Sequence, residues 1–219
     1  LSSTDMDISI IEKIGCDVFE DGSTTINSQI LYDIVRKIDD NSEIEIISNN
    51  GKLVTLRSEG SRFSLACLPK EDFPIIEKDN SGTNIILNSK ILFKLIDKTK
   101  FAISNEETRY FLNGLYFNVT NDDNKNIVTL VGTDGHRLAK FSHEINKKID
   151  QVSGVIIPKK TIYELSKLLS ELDNDVNISI SSNKIVFKVG DIIFISKLID
   201  GSFPDYKRVI PNDNKNILK

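Results

Sequence analysis

One helical pattern occurs three times in this chain, and that repetition limits the folds open to it. Residues 26–37 read INSQILYDIVRK, residues 87–98 read LNSKILFKLIDK, and residues 157–168 read IPKKTIYELSKL, at offsets of 61 and 131 from the first. Each copy spaces its apolar residues for one face of a helix: Ile30, Leu31, Ile34, Val35 and Ile38; Ile91, Leu92, Leu95 and Ile96; Ile162, Leu165, Leu168 and Leu169. Asn27/Ser28 and Asn88/Ser89 suit helix caps, and Pro158 is tolerated in a first turn. A repeated unit that cannot bury its own apolar face must bury it against a neighbouring copy.

Short alternating runs follow each helix, separated by turn residues. They are 44–48, 52–58 and 62–68 after the first helix, 109–119, 127–133 and 136–142 after the second, and 176–180, 184–189 and 192–198 after the third. Asn50-Gly51, Glu59-Gly60 and Gly190-Asp191 sit between runs, as hairpins require. The repeat is therefore strand, helix and three strands. A longer period lies over it. Phe73-Pro74 returns as Phe203-Pro204, and Leu1-Ser2-Ser3-Thr4-Asp5 is echoed by Leu130-Val131-Gly132-Thr133-Asp134, at offsets of 130 and 129. Two repeats thus make a domain. The expected division is 1–78 as the later part of one domain, 79–207 as a complete one, and 208–219 as the start of a linker or third domain. Asp79-Asn80-Ser81-Gly82 reads as the joint between the first two. A single α+β domain with helices alike by chance does not explain several offsets in consistent order.

The charge is unevenly distributed. The formal net charge is −4, which argues against a globally basic nucleic-acid binder. Yet the helical stretches 27–38, 88–100 and 158–169 carry +1, +3 and +2, which leaves −10 on the rest. Lys90, Lys94 and Lys98 are four apart and share one helical face. Such a face attracts a phosphate backbone; a solvated lysine surface is the bland alternative. No aromatic platform or base-reading set accompanies it, so any grip on nucleic acid is expected to be independent of base sequence. With 39% apolar and 27% charged residues the chain can pack a core. No apolar run is long enough for a membrane helix and no leader is visible, and Cys16 and Cys67 read as reduced thiols, so the expected location is cytoplasmic. A chain that begins at Leu1, with Met6 as its only methionine, reads as a fragment.

Catalytic patterns are missing. The sequence holds no phosphate-binding glycine loop, no H-E-x-x-H and no G-x-S-x-G. His136 and His143 are seven apart, which on a strand points them to opposite faces and makes a poor metal pair. Asn121-Asp122-Asp123-Asn124 lacks the alternating carboxylates of a calcium loop and reads as a turn. Asp134-Gly135-His136-Arg137 gathers a carboxylate, an imidazole and a guanidinium. An Asp-Gly turn between strands accounts for it without a nucleophile, although a phosphate- or nucleotide-processing enzyme is the alternative it raises. No metal or cofactor is expected.

Thr133-Asp134-Gly135-His136-Arg137-Leu138-Ala139 and Phe203-Pro204-Asp205-Tyr206-Lys207-Arg208-Val209-Ile210-Pro211 resemble the two signature segments of the bacterial sliding clamp, the beta subunit of DNA polymerase III. Arg109-Tyr110-Phe111-Leu112-Asn113-Gly114 resembles a third, and Ser61-Arg62-Phe63-Ser64-Leu65 with Leu68-Pro69 and Asp72-Phe73-Pro74 resembles the end of the family's first domain. Gly132 stands where the family often has a small residue such as Ala, and Cys67 where a hydroxyl residue is common; neither is a residue of the partner groove that the resemblance implies.

The resemblance implies an α+β DNA-clamp fold of repeated β-α-β-β-β units, with antiparallel sheets outside and helices lining one concave face. It implies a head-to-tail homodimeric ring of three-domain protomers around duplex DNA, a non-catalytic processivity factor, and a separate loader as the only user of ATP. The full-length protein should close a ring; this chain, lacking the start of domain one and nearly all of domain three, should not. Lys90, Lys94 and Lys98, with Arg109 and Tyr110 by analogy, are expected to face DNA. Leu112, Thr133, Gly135, His136, Arg137, Leu138, Pro204, Arg208 and Val209 map onto the family's partner groove. There Leu112, Leu138, Pro204 and Val209 would form an apolar floor, Gly135 would admit a peptide backbone, and Arg137 and Arg208 would charge the rim. Expected partners are the polymerase III alpha subunit, the clamp loader, and other polymerases and repair proteins carrying short Leu/Phe motifs. Part of the family's groove comes from domain three, so affinity should be reduced here. A β-rich protein-binding module without DNA contact is the alternative.

Overall fold

The computed structural model describes residues 1–49, 51–76, 82–122, 125–145 and 152–211. Most of the expected joint at 79–82, Asp123 and Asn124 of the Asn-rich turn, and 212–219 lie outside these. The chain divides into two compact units, Leu1–Glu77 and Lys78–Lys219.

The first unit opens with an antiparallel hairpin of β1 (Ser2–Thr4) and β2 (Ile8–Glu12), whose turn is closed by Asp7 and Ile8 backbone N–H groups donating to Asp5 Oδ1. Helix α1 (Ser28–Val35) starts where Asn27 accepts from the Ile30 N–H at 3.1 Å. It is followed by the antiparallel ladder β3 (Glu45–Asn49), β4 (Leu53–Ser58) and β5 (Ser61–Ala66). Ile34, Val54 and Leu56 form the core, flanked by Leu31, Ile38, Ile44 and Phe63. The five-residue stripe expected on α1 is only partly used: Ile30 is 48% exposed and Val35 43%. One short helix on one three-stranded ladder buries a narrow strip, and α1 is the only α-helix among the described residues of this unit.

The second unit contains two copies of the expected repeat. The first is β6 (Thr83–Asn88), α2 (Ser89–Asp97), β7 (Gly114–Asp122), β8 (Lys125–Thr133) and β9 (Leu138–Ile145). The second is β10 (Val152–Pro158), α3 (Lys159–Ser170), β11 (Asp175–Ile180), β12 (Lys184–Val189) and β13 (Ile192–Lys197). The first strand of each copy pairs with the other copy. β10 lies antiparallel to β7 with Ile157 opposite Leu115, and β6 lies antiparallel to β11 with Ile85 opposite Ile178. The hydrogen-bonded orders are therefore β10-β7-β8-β9 and β6-β11-β12-β13. Both strand-to-helix corners are tied alike: Ser89 N donates to Asn174 O and Lys159 N to Asn113 O, each at 2.9 Å.

Helices α2 and α3 pack side by side. Their stripes, led by Leu92, Leu95 and Ile96 and by Ile162, Leu165 and Leu169, are buried together with Phe117, Leu130, Ile178, Phe187 and Phe194. A buried Thr161–Ser196 hydroxyl pair at 2.6 Å joins α3 to β13.

The structure corrects the sequence reading at two strands. The run expected from 109 begins only at Gly114; Glu107–Leu112 is a tight 3₁₀ segment kinked at Arg109 (φ −112°, ψ 55°). Its Asn113 N–H turns back to Tyr110 O, so pairing with β10 starts at Gly114, opposite Pro158. The run expected from 136 begins at Leu138, because 134–137 form the hairpin turn. His136 is therefore on a turn and only His143 is on a strand.

Leu95 is wholly buried. Leu95→Ala should lower unfolding free energy by about 3 kcal/mol, as a buried cavity does. Urea denaturation followed by circular dichroism checks this, and a loss below about 1 kcal/mol would contradict the packing described.

Candidate functional site

The β8–β9 hairpin closes on itself. Thr133 Oγ1 donates to Arg137 O (2.7 Å) and accepts from Gly135 N (3.1 Å). Asp134 Oδ1 accepts from the His136 and Arg137 backbone N–H groups, both at 2.9 Å, and Oδ2 accepts from Arg137 Nε at 3.0 Å. Gly135 turns the chain at φ +89°, the left-handed region that a side chain disfavours. These contacts, led by the Arg137 N–H and then the His136 N–H, hold the Asp134 carboxyl down at about 2. The carboxylate is engaged by its own turn, while His136 is exposed beside it. That arrangement accounts for the D-G-H-R cluster as local structure.

A second ion pair lies against the turn. Arg109 grips Glu106 through Nε (2.8 Å) and Nη2 (2.6 Å), which pushes the arginine pKa up and the glutamate pKa down. A Cβ added to Gly135 would fall 2.6 Å from Arg109 Nη1, so the guanidinium rests on the turn. Arg109, expected at a DNA surface, is thus brought to the same turn as Gly135. Tyr110 is 53% exposed and meets Phe111 edge-on. Leu112 is 3% exposed and offers almost no open surface, whereas Leu138 is half-buried. Arg137 also stacks 5.7 Å over Phe101, an exposed ring for which the sequence carried no signal.

The segment after β13 comes to the same sheet. Phe203 stacks on Tyr116 of β7, with centroids 4.9 Å apart and planes at 16°. Tyr206, which is 7% exposed, tilts against the same ring at 6.1 Å, and Lys140 of β9 lies 5.9 Å over Tyr206. Pro204, Arg208 and Val209 remain exposed. Arg208 Nε reaches Asp205 Oδ2 at 2.9 Å, repeating the three-residue spacing of Asp134 and Arg137. Exposed pairs of this kind add little stability; their effect is on the direction of the guanidinium. Phe203 and Tyr206 stood inside the sequence motif, so their packing role was within reach. Tyr116 and Lys140 carried no signal, because their placement depends on strand pairing.

The lysine face of α2 is not uniform. Lys90, Lys94 and Lys98 are all exposed. Lys90 pairs with Asp173, whose carboxyl pKa is lowered chiefly by that hydrogen bond. Lys94 lies 5.6 Å over Phe141, and Lys98 caps the helix C-terminus, where a cation favours the dipole. On α3, Lys159 bonds the Asn105 side chain and Lys167 pairs with Glu164.

Comparison with known proteins covers both units. The family described as the DNA polymerase III beta subunit, central domain, matches residues 86–205, and its N-terminal domain matches residues 1–77. A beta sliding clamp of Caulobacter vibrioides is 40% identical over 218 residues, 99% of this chain and 59% of that protein. The beta sliding clamp of Escherichia coli K12 is 36% identical over 219 residues, 99% of this chain and 58% of its own length. Among solved structures, a DnaN sliding clamp of Bartonella birtlesii bound to griselimycin has a TM-score of 0.91 at 44% identity, covering 98% of this chain and 57% of that one. A Caulobacter crescentus beta sliding clamp has a TM-score of 0.91 at 39% identity, covering 97% and 57%. The chain thus spans somewhat less than two thirds of the relatives it matches, and it shares their α+β clamp fold.

Because the folded Asp134 pKa lies below its ordinary value, the turn's contribution is complete above about pH 4 and is lost as pH falls toward 2. Thermal unfolding of the wild type should therefore decline more steeply from pH 5 to pH 2 than that of Asp134→Asn. The two curves should converge at the acid end; parallel curves would contradict the depressed pKa.

Proposed function

The chain belongs to the bacterial sliding-clamp family, the beta subunit of DNA polymerase III, and from that premise we propose that the protein is a DNA sliding clamp. In this reading the full-length protein encircles duplex DNA as a head-to-tail homodimer and holds the replicative polymerase at its template. The first unit corresponds to the later part of the first clamp domain, 79–207 to the complete middle domain, and 208–219 to the entry into the third. The observation that carries the reading is the convergence on one sheet of the Thr133–Leu138 turn and the Phe203–Val209 segment. They meet through Tyr116 and Lys140 and leave Pro204, Arg208 and Val209 open.

The mechanism is topological. A ring cannot leave DNA sideways, so a polymerase tethered to it stays at high effective concentration. The lysines of α2 attract phosphates without base contacts, which leaves the ring free to slide. The groove comprises Leu112, Thr133, Gly135, His136, Arg137, Leu138, Pro204, Arg208 and Val209. It takes short Leu/Phe motifs of the polymerase III alpha subunit, the clamp loader, and other polymerases and repair proteins. Arg109 and Tyr110 lie toward the duplex. Leu112 acts from beneath, by supporting the floor. The protein performs no reaction of its own, and its setting is the nucleoid in the cytoplasm. Among the described residues no helix is long and apolar enough to cross a membrane.

Two measurements test this reading. A fluorescein-labelled peptide with Leu and Phe anchors should bind the chain in roughly the micromolar range, and Leu138→Glu should weaken it at least about tenfold. Unchanged affinity removes the groove. Anisotropy with a labelled duplex should show Lys94→Glu/Lys98→Glu weakening binding and lowering the slope of log Kd against log salt by about 2. Lys90→Glu should do less, since Asp173 already neutralises Lys90. An unaltered salt dependence would favour a protein-binding module without DNA contact.

A further inference from the structure

Three of the groove residues, Pro204, Arg208 and Val209, stand on a segment with almost no regular structure. Among its described residues a four-residue 3₁₀ turn, Tyr206–Val209, is the only helical element. Val209 is 68% exposed and the Arg208 side chain 85%, so neither anchors the segment by burial. Unanchored, such a stretch samples many conformations, and each loss of freedom on binding weakens the complex.

The anchors are aromatic and converge on one ring. Phe203 lies parallel to Tyr116 at 4.9 Å, and buried Tyr206 leans on the same ring at 6.1 Å. The Tyr116 ring itself sits over the irregular stretch of β10, where the register shifts between Val152 and Val155. A Cβ added to Gly154 would fall 2.0 Å from the ring's Cζ and hydroxyl oxygen. No side chain fits there while the ring stays where it is. Partial burial raises the Tyr116 pKa, so the hydroxyl remains a neutral phenol at working pH. Tyr116 also shares a ladder with the other half of the groove, since it pairs with Val131 two residues before Thr133.

We propose that Tyr116, seated on Gly154, is the positioning residue of the partner groove: by gripping Phe203 and Tyr206 it holds Pro204, Arg208 and Val209 in register with the Thr133–Leu138 turn. The inference rests on the groove reading above and deepens it. Tyr116 touches the bound peptide nowhere in this scheme; it sets the affinity by preorganising residues that do.

The test uses the whole chain, the same fluorescein-labelled Leu/Phe peptide, and trypsin, which cuts after the exposed Lys207 and Arg208. Tyr116→Ala and Gly154→Val should each weaken the peptide at least about tenfold and speed cleavage at 207–208 at least about fivefold, at a temperature well below either variant's unfolding midpoint. Tyr116→Phe keeps the ring and should restore both values to within about twofold of wild type. A merely structural role would lower the unfolding midpoint without selective cleavage at 207–208. Wild-type peptide affinity in Tyr116→Ala, with Leu138→Glu still abolishing binding, overturns the positioning role and leaves the groove intact. If Leu138→Glu also binds normally, the groove reading fails, and this proposal falls with it. If Tyr116→Ala does not unfold at lower temperature and cleavage at 207–208 is unchanged, the grip itself is refuted.

Discussion

The exchange of first strands between the two repeats governs the second unit. β6 completes the ladder of β11, and β10 completes that of β7, so neither repeat has a whole sheet of its own. A strand removed from either place would leave a row of unpaired backbone groups and expose the apolar side chains it covers. Because each exchanged strand runs straight into a helix, the same pairing brings α2 and α3 together over a shared core. It also places the start of β7 beside the end of β10. Tyr116 reaches back over Gly154 in the irregular first part of β10, and the segment after β13 joins the same strand through the Ile156–Ile199 bridge.

Two kinds of polar interaction follow from that frame, and they do different work. The exposed ion pairs, Asp134 with Arg137, Asp205 with Arg208, and Lys90 with Asp173, are screened and contribute little to folding. They set direction and local charge. The first two are alike: one aspartate oxygen accepts from backbone N–H (two groups at Asp134, the Lys207 N–H at Asp205) and the other from the arginine's Nε. The Lys90–Asp173 pair acts in the opposite sense, by removing one positive charge from an otherwise cationic helix face. A net helix charge counted from sequence therefore overstates the field that a phosphate would meet near Lys90.

The repeats made most of the second unit legible before any coordinates. Apolar spacing identified all three helices, and Asn27 and Asn88 cap two of them as their residue types suggest. The failures are local and physical. The stretch Arg109–Leu112 has the bulky composition of a strand, yet a backbone bond from Asn113 to Tyr110 curls it, and pairing to β10 begins only at Gly114. Periodicity cannot register one turn's hydrogen bond against a partner strand some forty residues away. The stripe on α1 was correct in spacing but not in burial, because burial depends on what covers a helix, and Ile30 and Val35 have no such cover within their unit. At the candidate site, the turn and exit motifs were visible, whereas Tyr116, Lys140 and Phe101 became relevant only through the topology that sets them beside those motifs.

For the groove proposed above, these features would favour weak binding in one orientation. The open residues are few: Gly135, His136 and Arg137 on one turn, and Pro204, Arg208 and Val209 on the segment after β13. What restrains them lies a layer beneath, in the aromatic stack on β7 and in the aspartate-closed turns. Stability thus resides in residues that no partner need touch, while the contact residues remain exposed and exchangeable. On that proposal the surface would gain affinity from preorganisation and not from area, and a short peptide would seat and leave without disturbing the core. The separation extends to the lysine face, which draws on α2's outward side, while the inward side, Leu92, Leu95 and Ile96, belongs wholly to packing. Charge on that outward side can therefore change without loss of the fold, and the fold can hold the partner surface whether or not the lysine face is occupied.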